Sequence, residues 1–174
     1  MDLDLVSITN FFMIILIGLG MIYVFFKPLH IKKQKFVDVP QFEIKTFTMY
    51  ELNRIGLQTL MYGKSAIKYS DRYNIFDINY TDNSKEYRAN MIADRGIYKN
   101  NIVKLIGNVV YSRKDGLKFE TQEVRYNKKS KIAISDTKYI MYMGKNWVRG
   151  SYLKYNNLLN SVESRNVVAS YQIK

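Results

Sequence analysis

The chain has 174 residues, 47% apolar and 14% aromatic, with no cysteine, one histidine and a formal net charge of +12. That length holds one domain and that apolar content supports a packed core, which excludes a disordered tail. Without cysteine, and with His30 alone, thiol nucleophiles, Cys/His zinc centres and Ser-His-Asp triads are excluded. The carboxylates are scattered and form no recognisable acid–base pair, so no catalytic residue, metal ligand or cofactor is expected. The positive charge suits an anionic partner: nucleic acid, acidic phospholipid or a phosphorylated glycolipid.

The first element is apolar. Phe11 to Phe26 reads FFMIILIGLGMIYVFF, without a charged side chain. Extended back to Leu5 it makes roughly 22 residues, or ~33 Å of helix, enough to cross a bilayer. Lys27 and Pro28 end it, since proline cannot continue the hydrogen-bond ladder. The start, MDLDL, is not basic and no small-x-small site follows the apolar run, so the segment reads as a retained anchor rather than a cleaved signal. The division expected is a short tail over 1–4, a transmembrane helix over 5–27, a juxtamembrane linker over 28–40 and a β domain over 41–174. Gly18 and Gly20 would let a neighbouring helix approach closely. Lys27, Lys32, Lys33 and Lys35 all follow the helix, and the positive-inside rule would keep the domain after them in the cytoplasm.

Beyond Phe36 helix signals fade. Only YELNRIGLQTL (50–60) has helical composition, and it fits a strand and turn equally well. Elsewhere short runs alternate apolar and polar residues: YNIFDINY (73–80), VKLIGNVVY (103–111), LKFETQEVRY (117–126) and KIAISDTKYIMYM (131–143). RKDG (113–116) is expected to close a hairpin, with Gly116 free to take positive φ. A repeat runs through these strands. Val124-Arg125-Tyr126-Asn127 returns as Leu153-Lys154-Tyr155-Asn156, with Ile67-Lys68-Tyr69-Ser70 an earlier copy and Ile92-Ala93-Asp94 a degenerate one. Thr121 and Gly150 stand three residues before the apolar position of the two later copies. This is the pattern of a stacked meander curling into a roll, each unit burying its apolar face only against its neighbours.

The C-terminal part carries a family resemblance. Ile106-Gly107-Asn108-Val109 opens a strand, Glu120-Thr121 precedes an apolar-x-Tyr/Asn position, and Gly144 precedes a loop. Val148-Arg149-Gly150 and Ala169-Ser170-Tyr171-Gln172-Ile173 follow in order. Together, behind one N-terminal helix, they resemble the lipopolysaccharide-export family LptC, well over 90–173 and weakly over 45–90.

The resemblance implies an all-β fold, an antiparallel β-jellyroll with an open V-shaped interior, behind one transmembrane helix. It also implies a protein of the inner membrane, N-terminus cytoplasmic and domain periplasmic, opposite to the lysine distribution. Large domains translocate largely regardless of charge, and the resemblance is followed here. The implied partners are lipopolysaccharide, an inner-membrane ABC transporter that delivers it, and a soluble periplasmic bridge protein of the same fold. Strand alternation offers Leu105, Val109, Phe119, Val124, Ile132, Ile134 and Leu153 as candidates for the lipid groove. Val162, Val167, Ala169, Tyr171 and Ile173 are candidates for the edge facing the bridge protein, and Phe42, Ile44 and Phe47 for the edge facing the transporter. The competing readings are a membrane-tethered basic β domain that binds nucleic acid and a structural adaptor that binds no lipid.

Overall fold

The computed structural model describes the backbone of residues 3–25 and 38–173, and the side chains of that set apart from 3–9, 11, 12 and 24. The chain divides into two compact units, residues 1–35 and 36–174.

In the first unit α1 runs Leu3–Phe25, 23 residues of mostly Leu, Ile, Met and Phe with no proline. Its described side chains are exposed all round, Ile14, Leu16, Leu19 and Tyr23 among them. Among the described residues no helix is long and apolar enough to cross a membrane. Side chains are described there without a break only over 13–23, about 17 Å against the ~30 Å of a hydrocarbon core. Pro28, His30, the four lysines and linker residues 28–37 lie outside the described residues.

Among the described residues the second unit is one antiparallel sheet of twelve strands. Strands β1 (Phe42–Asn53), β2 (Gly56–Lys68), β3 (Tyr73–Asp82), β4 (Ala89–Lys99), β5 (Ile102–Arg113) and β6 (Leu117–Asn127) are long and pair in sequence order. The remaining passes are each broken in two: β7 (Ile132–Ser135) with β8 (Tyr139–Met143), β9 (Asn146–Gly150) with β10 (Tyr152–Asn156), and β11 (Ser161–Arg165) with β12 (Val168–Ser170). Each pass still lies beside the one before it, so the connectivity is a meander, as the repeat implied.

Turn chemistry sets the passes. Asn100 and Asn101 both take positive φ between β4 and β5, the two-residue turn that matches strand twist. Gly116 takes φ +97° between β5 and β6, and its N–H donates to the Arg113 carbonyl at 3.1 Å. Stretch 50–60 is strand, turn, strand. Asn53 Oδ1 accepts from the N–H groups of Ile55 and Gly56, an Asx turn that overrides the helical composition around it. Asn127 and Asn156 make the same turn, accepting from Lys129 and Ser130 and from Leu158 and Leu159.

This explains the repeat. Tyr126 and Tyr155 both lie opposite Ala133, and Asn127 and Asn156 both lie opposite Ile132, so the two copies flank β7 symmetrically. Ile67–Ser70 ends β2 and enters a turn, whereas Ile92–Asp94 sits midway along β4 and is not an equivalent copy.

Several passes are irregular near their middle. Thr46, Asp77, Gly107 and Asn108 take positive φ inside strands, and the register slips between Ile92 and Arg95 and between Ile106 and Val109. The last three passes break outright at residues 136–138, 151 and 166–167. A bulge inserts one residue, so side-chain alternation changes phase across it. Inward residues are therefore three apart at this line: Ile75 and Ile78, Ala93 and Gly96, Thr121 and Val124, Gly150 and Leu153. The sheet folds along this crease and its two halves face each other. The core is small and sits there: Ile78, Ala93, Leu105 and Val109, with Ile75, Tyr80, Met91, Val103 and Val124 packed around them. Each fully buried aliphatic stabilises by roughly 1.5–3 kcal/mol. A Cβ on Gly63 would stand 2.6–2.7 Å from the Phe47 ring, so the ring would have to shift to admit one.

Candidate functional site

Outward from the crease, the facing halves form the two walls of a groove. Cross-strand partners share a face, so the register reads each wall as a row. On the half formed by the C-terminal parts of β1, β3 and β5, Met49 pairs with Met61, Met61 with Tyr80, Tyr80 with Met91 and Met91 with Tyr111. The same row continues through Phe119 and Met141 to Val148 and Ala169. It is unbroken from one edge of the sheet to the other. On the facing half the row holds Tyr73, Tyr98, Val103, Tyr126, Ala133 and Tyr155. Tyr80 from the first wall and Tyr126 from the second line one cleft of about 550 Å³, open at its mouth.

Among the middle strands the crease is aliphatic, but towards the C-terminus it is hydroxylic. Thr121 Oγ1 donates to the Lys138 carbonyl at 3.0 Å and meets Ser135 Oγ at 2.8 Å and Thr137 Oγ1 at 2.7 Å. Tyr139 OH donates to Ser164 Oγ at 2.6 Å, which in turn donates to the Tyr152 carbonyl at 2.7 Å. These hydroxyls are thereby satisfied. Burial raises the Tyr80 phenol above its ordinary value, with the Asp82 and Glu51 carboxylates adding to the shift. Burial likewise raises Tyr111. Both are neutral donors at the groove wall.

At its ends the sheet is open. Among the described residues β1 pairs only with β2, β11 only with β10 and β12 only with β9. Phe42 and Val162, on opposite edges, are 58% and 57% exposed, whereas Val109 at the crease is 1% exposed. Unpaired edges of this kind are templates for strand addition.

A model of the family described as lipopolysaccharide-assembly, LptC-related, matches residues 12–172. The chain belongs to the LptC-related family. The family's described role is in lipopolysaccharide assembly. No curated protein matches it. Among solved structures it is similar to LptH of Pseudomonas aeruginosa, described as the LptA homologous periplasmic component of the conserved lipopolysaccharide transport device. The identity is 10%, the match covers 76% of this chain and 94% of that one, and the TM-score is 0.40. The assignment rests on the family match.

In this LptC-related chain the groove candidates read from sequence separate into two sets. Leu105, Val109 and Leu153 are buried at the crease, and Val124 packs on the same core. Phe119 lies in the methionine row, with its ring centroid 5.7 Å from that of Tyr139. Ile132 and Ile134 face the other way. Ile134 stands between Arg125 and Lys154, while Leu153 on the inner face pairs with Ser135. Simple alternation failed there because β7 begins a new phase after its turn.

Phe42, Ile44 and Phe47 lie on edge strand β1; Val162 lies on β11 and Ala169 on β12, while Val167 precedes β12 and Tyr171 and Ile173 follow it. A Cβ on Gly18 or Gly20 would meet nothing within 4 Å. The methionine row itself was not legible in sequence. Met49, Met61, Met91 and Met141 are far apart in the chain, and only register aligns them.

Proposed function

We propose that this chain is a non-enzymatic relay for lipopolysaccharide between an inner-membrane ABC transporter and a soluble periplasmic bridge protein of the same fold. The observation that carries the reading is an apolar row running without interruption between two unpaired sheet edges. A groove of this form shields acyl chains at ~0.8 kcal/mol per buried CH₂. Strand addition at β1 and at β11–β12 would continue it into the neighbouring proteins on either side.

In this reading α1 is the anchor, with the N-terminus cytoplasmic and the β unit periplasmic. Its 23 residues correspond to ~34 Å, and the uncharged run Phe11–Phe26 lies almost wholly within it. A helix apolar on every side needs lipid or other helices around it. Gly18 and Gly20 are where a transporter helix would approach, an assignment that crosslinks from this segment to lipid alone would remove.

The test is a photoreactive side chain introduced in cells at Phe119, in the groove, and at Ile134, on the outer face. An ATP-dependent lipopolysaccharide adduct from Phe119 and none from Ile134 supports the relay. Equal labelling from both means that lipid passes beside the domain. Adducts with protein partners only, from either position, would make the chain a structural adaptor.

A further inference from the structure

The two walls of the groove differ in chemistry. All five methionines of the β unit lie on one of them: Met49, Met61, Met91 and Met141 in the row, and Met143 two residues on along the same face. Thioether side chains are unbranched and polarisable, and they adapt to irregular apolar partners. The facing wall has no methionine. It carries tyrosines, and its lip is cationic. Lys68 Nζ stands 5.8 Å from the Tyr73 ring centroid and Lys128 Nζ 5.4 Å from that of Tyr98, while Lys131 lines the cleft beside Tyr126. Asp71, in the turn between β2 and β3, is held by Lys99 at 2.6 Å and Arg72 at 2.9 Å.

The lip of the methionine wall is mixed. Glu51, Asp82 and Lys85 all line the cleft there, and Glu51 accepts from Thr59 Oγ1 at 2.9 Å. Phosphate is repelled by two inward carboxylates and attracted by ammonium groups that, among the described residues, pair with no carboxylate. Sugar rings and phosphates are also better matched by phenol hydroxyls than by thioethers.

We propose that the groove holds an amphiphile in one orientation, with acyl chains on the methionine wall and the phosphorylated saccharide over the tyrosine wall, its phosphates on Lys68, Lys128 and Lys131. This assignment rests on the relay reading and adds to it which wall recognises which end of the lipid.

The experiment uses the full chain in detergent. A fluorescent fatty acid is displaced by lipid A or by lipid A stripped of its phosphates. The ratio of the two displacement constants reports phosphate recognition, and the fluorescent probe alone reports the acyl wall. Lys68→Ala with Lys128→Ala and Lys131→Ala should lower the ratio roughly tenfold and leave fatty-acid binding unchanged. Lys85→Ala, on the opposite lip, should leave the ratio as it is. Met49→Gln with Met61→Gln and Met141→Gln should weaken both lipids and the fatty acid alike and keep the ratio, while the corresponding Leu variants restore binding. Met91 is left in place because it packs on the core.

A triple-lysine variant with an unchanged ratio overturns the orientation while leaving the relay intact. The same holds for methionine variants that bind the fatty acid as the native chain does. A folded native chain that binds none of the three probes overturns the relay reading and the orientation with it.

Discussion

The crease of the middle strands and the two edges of the sheet are built from similar residues to opposite ends. At the crease Ile78, Ala93, Leu105 and Val109 are buried, and Gly96 stands among them, so that the halves close. At the edges Phe42, Val162 and Val167 stand exposed on or beside strands that have a partner on one side only. The difference teaches that close packing and open pairing capacity are held in separate places. A small buried line keeps the roll folded, and the edges are left free to take a strand from another chain.

Leu105→Ala tests this most severely. It removes buried volume at the crease and should cost about 2–4 kcal/mol in urea unfolding, whereas Val162→Ala at the edge should stay within ~0.5 kcal/mol. Similar losses from both would mean that the edge is part of the core. Next in size is Gly107→Ala. Gly107 has φ +77° and the Asp94 carboxylate occupies the space a Cβ would need, so a loss of roughly 1–3 kcal/mol is expected. Gly116→Ala, with φ +97° and open space around it, should cost only the backbone part, about 1 kcal/mol.

Charging the edge should separate the two roles further. Val162→Arg with Val167→Arg should change the melting temperature little, with a cost of ~0.5 kcal/mol or less, yet abolish photocrosslinks to the bridge protein. Retained crosslinks would move that interface elsewhere. The smallest effect is a pH dependence. The Arg113 hydrogen bond holds the Asp115 carboxyl below its ordinary value. A depressed carboxylate contributes stability above its unfolded pKa of about 3.9, and this is lost as pH falls through the folded value. Asp115→Asn should therefore flatten the acid limb of a stability-versus-pH curve, slightly because the pair is at the surface. An unchanged limb assigns the acid sensitivity to other carboxylates.

Much of this architecture was legible in the chain itself. Asn53, Asn127 and Asn156 end strands because an Asn side chain can cap its own turn, and Gly116 marks a hairpin because it accepts positive φ. The Tyr-Asn repeat foretold a meander, and the run Ile106–Val109 with Ala169–Ile173 foretold the family. Those are local signals, set by the conformations that individual residues prefer. Leu105, Val109 and Leu153 lie inward, each beside at least one polar neighbour.

Ile132 and Ile134 do not, and the methionine wall was not foreseen, for one physical reason. A bulge at mid-strand shifts alternation by a single residue, and local sequence does not announce where that residue is. The sequence by itself determined that the chain is β, that it turns where it does, and that it carries an excess of positive charge. Only the tertiary structure decided where the sheet creases, because the crease arises from strands pairing across the whole unit. The alignment of Met49, Met61, Met91 and Met141 into one wall, opposite Tyr98 and Tyr126, follows from that crease and from register.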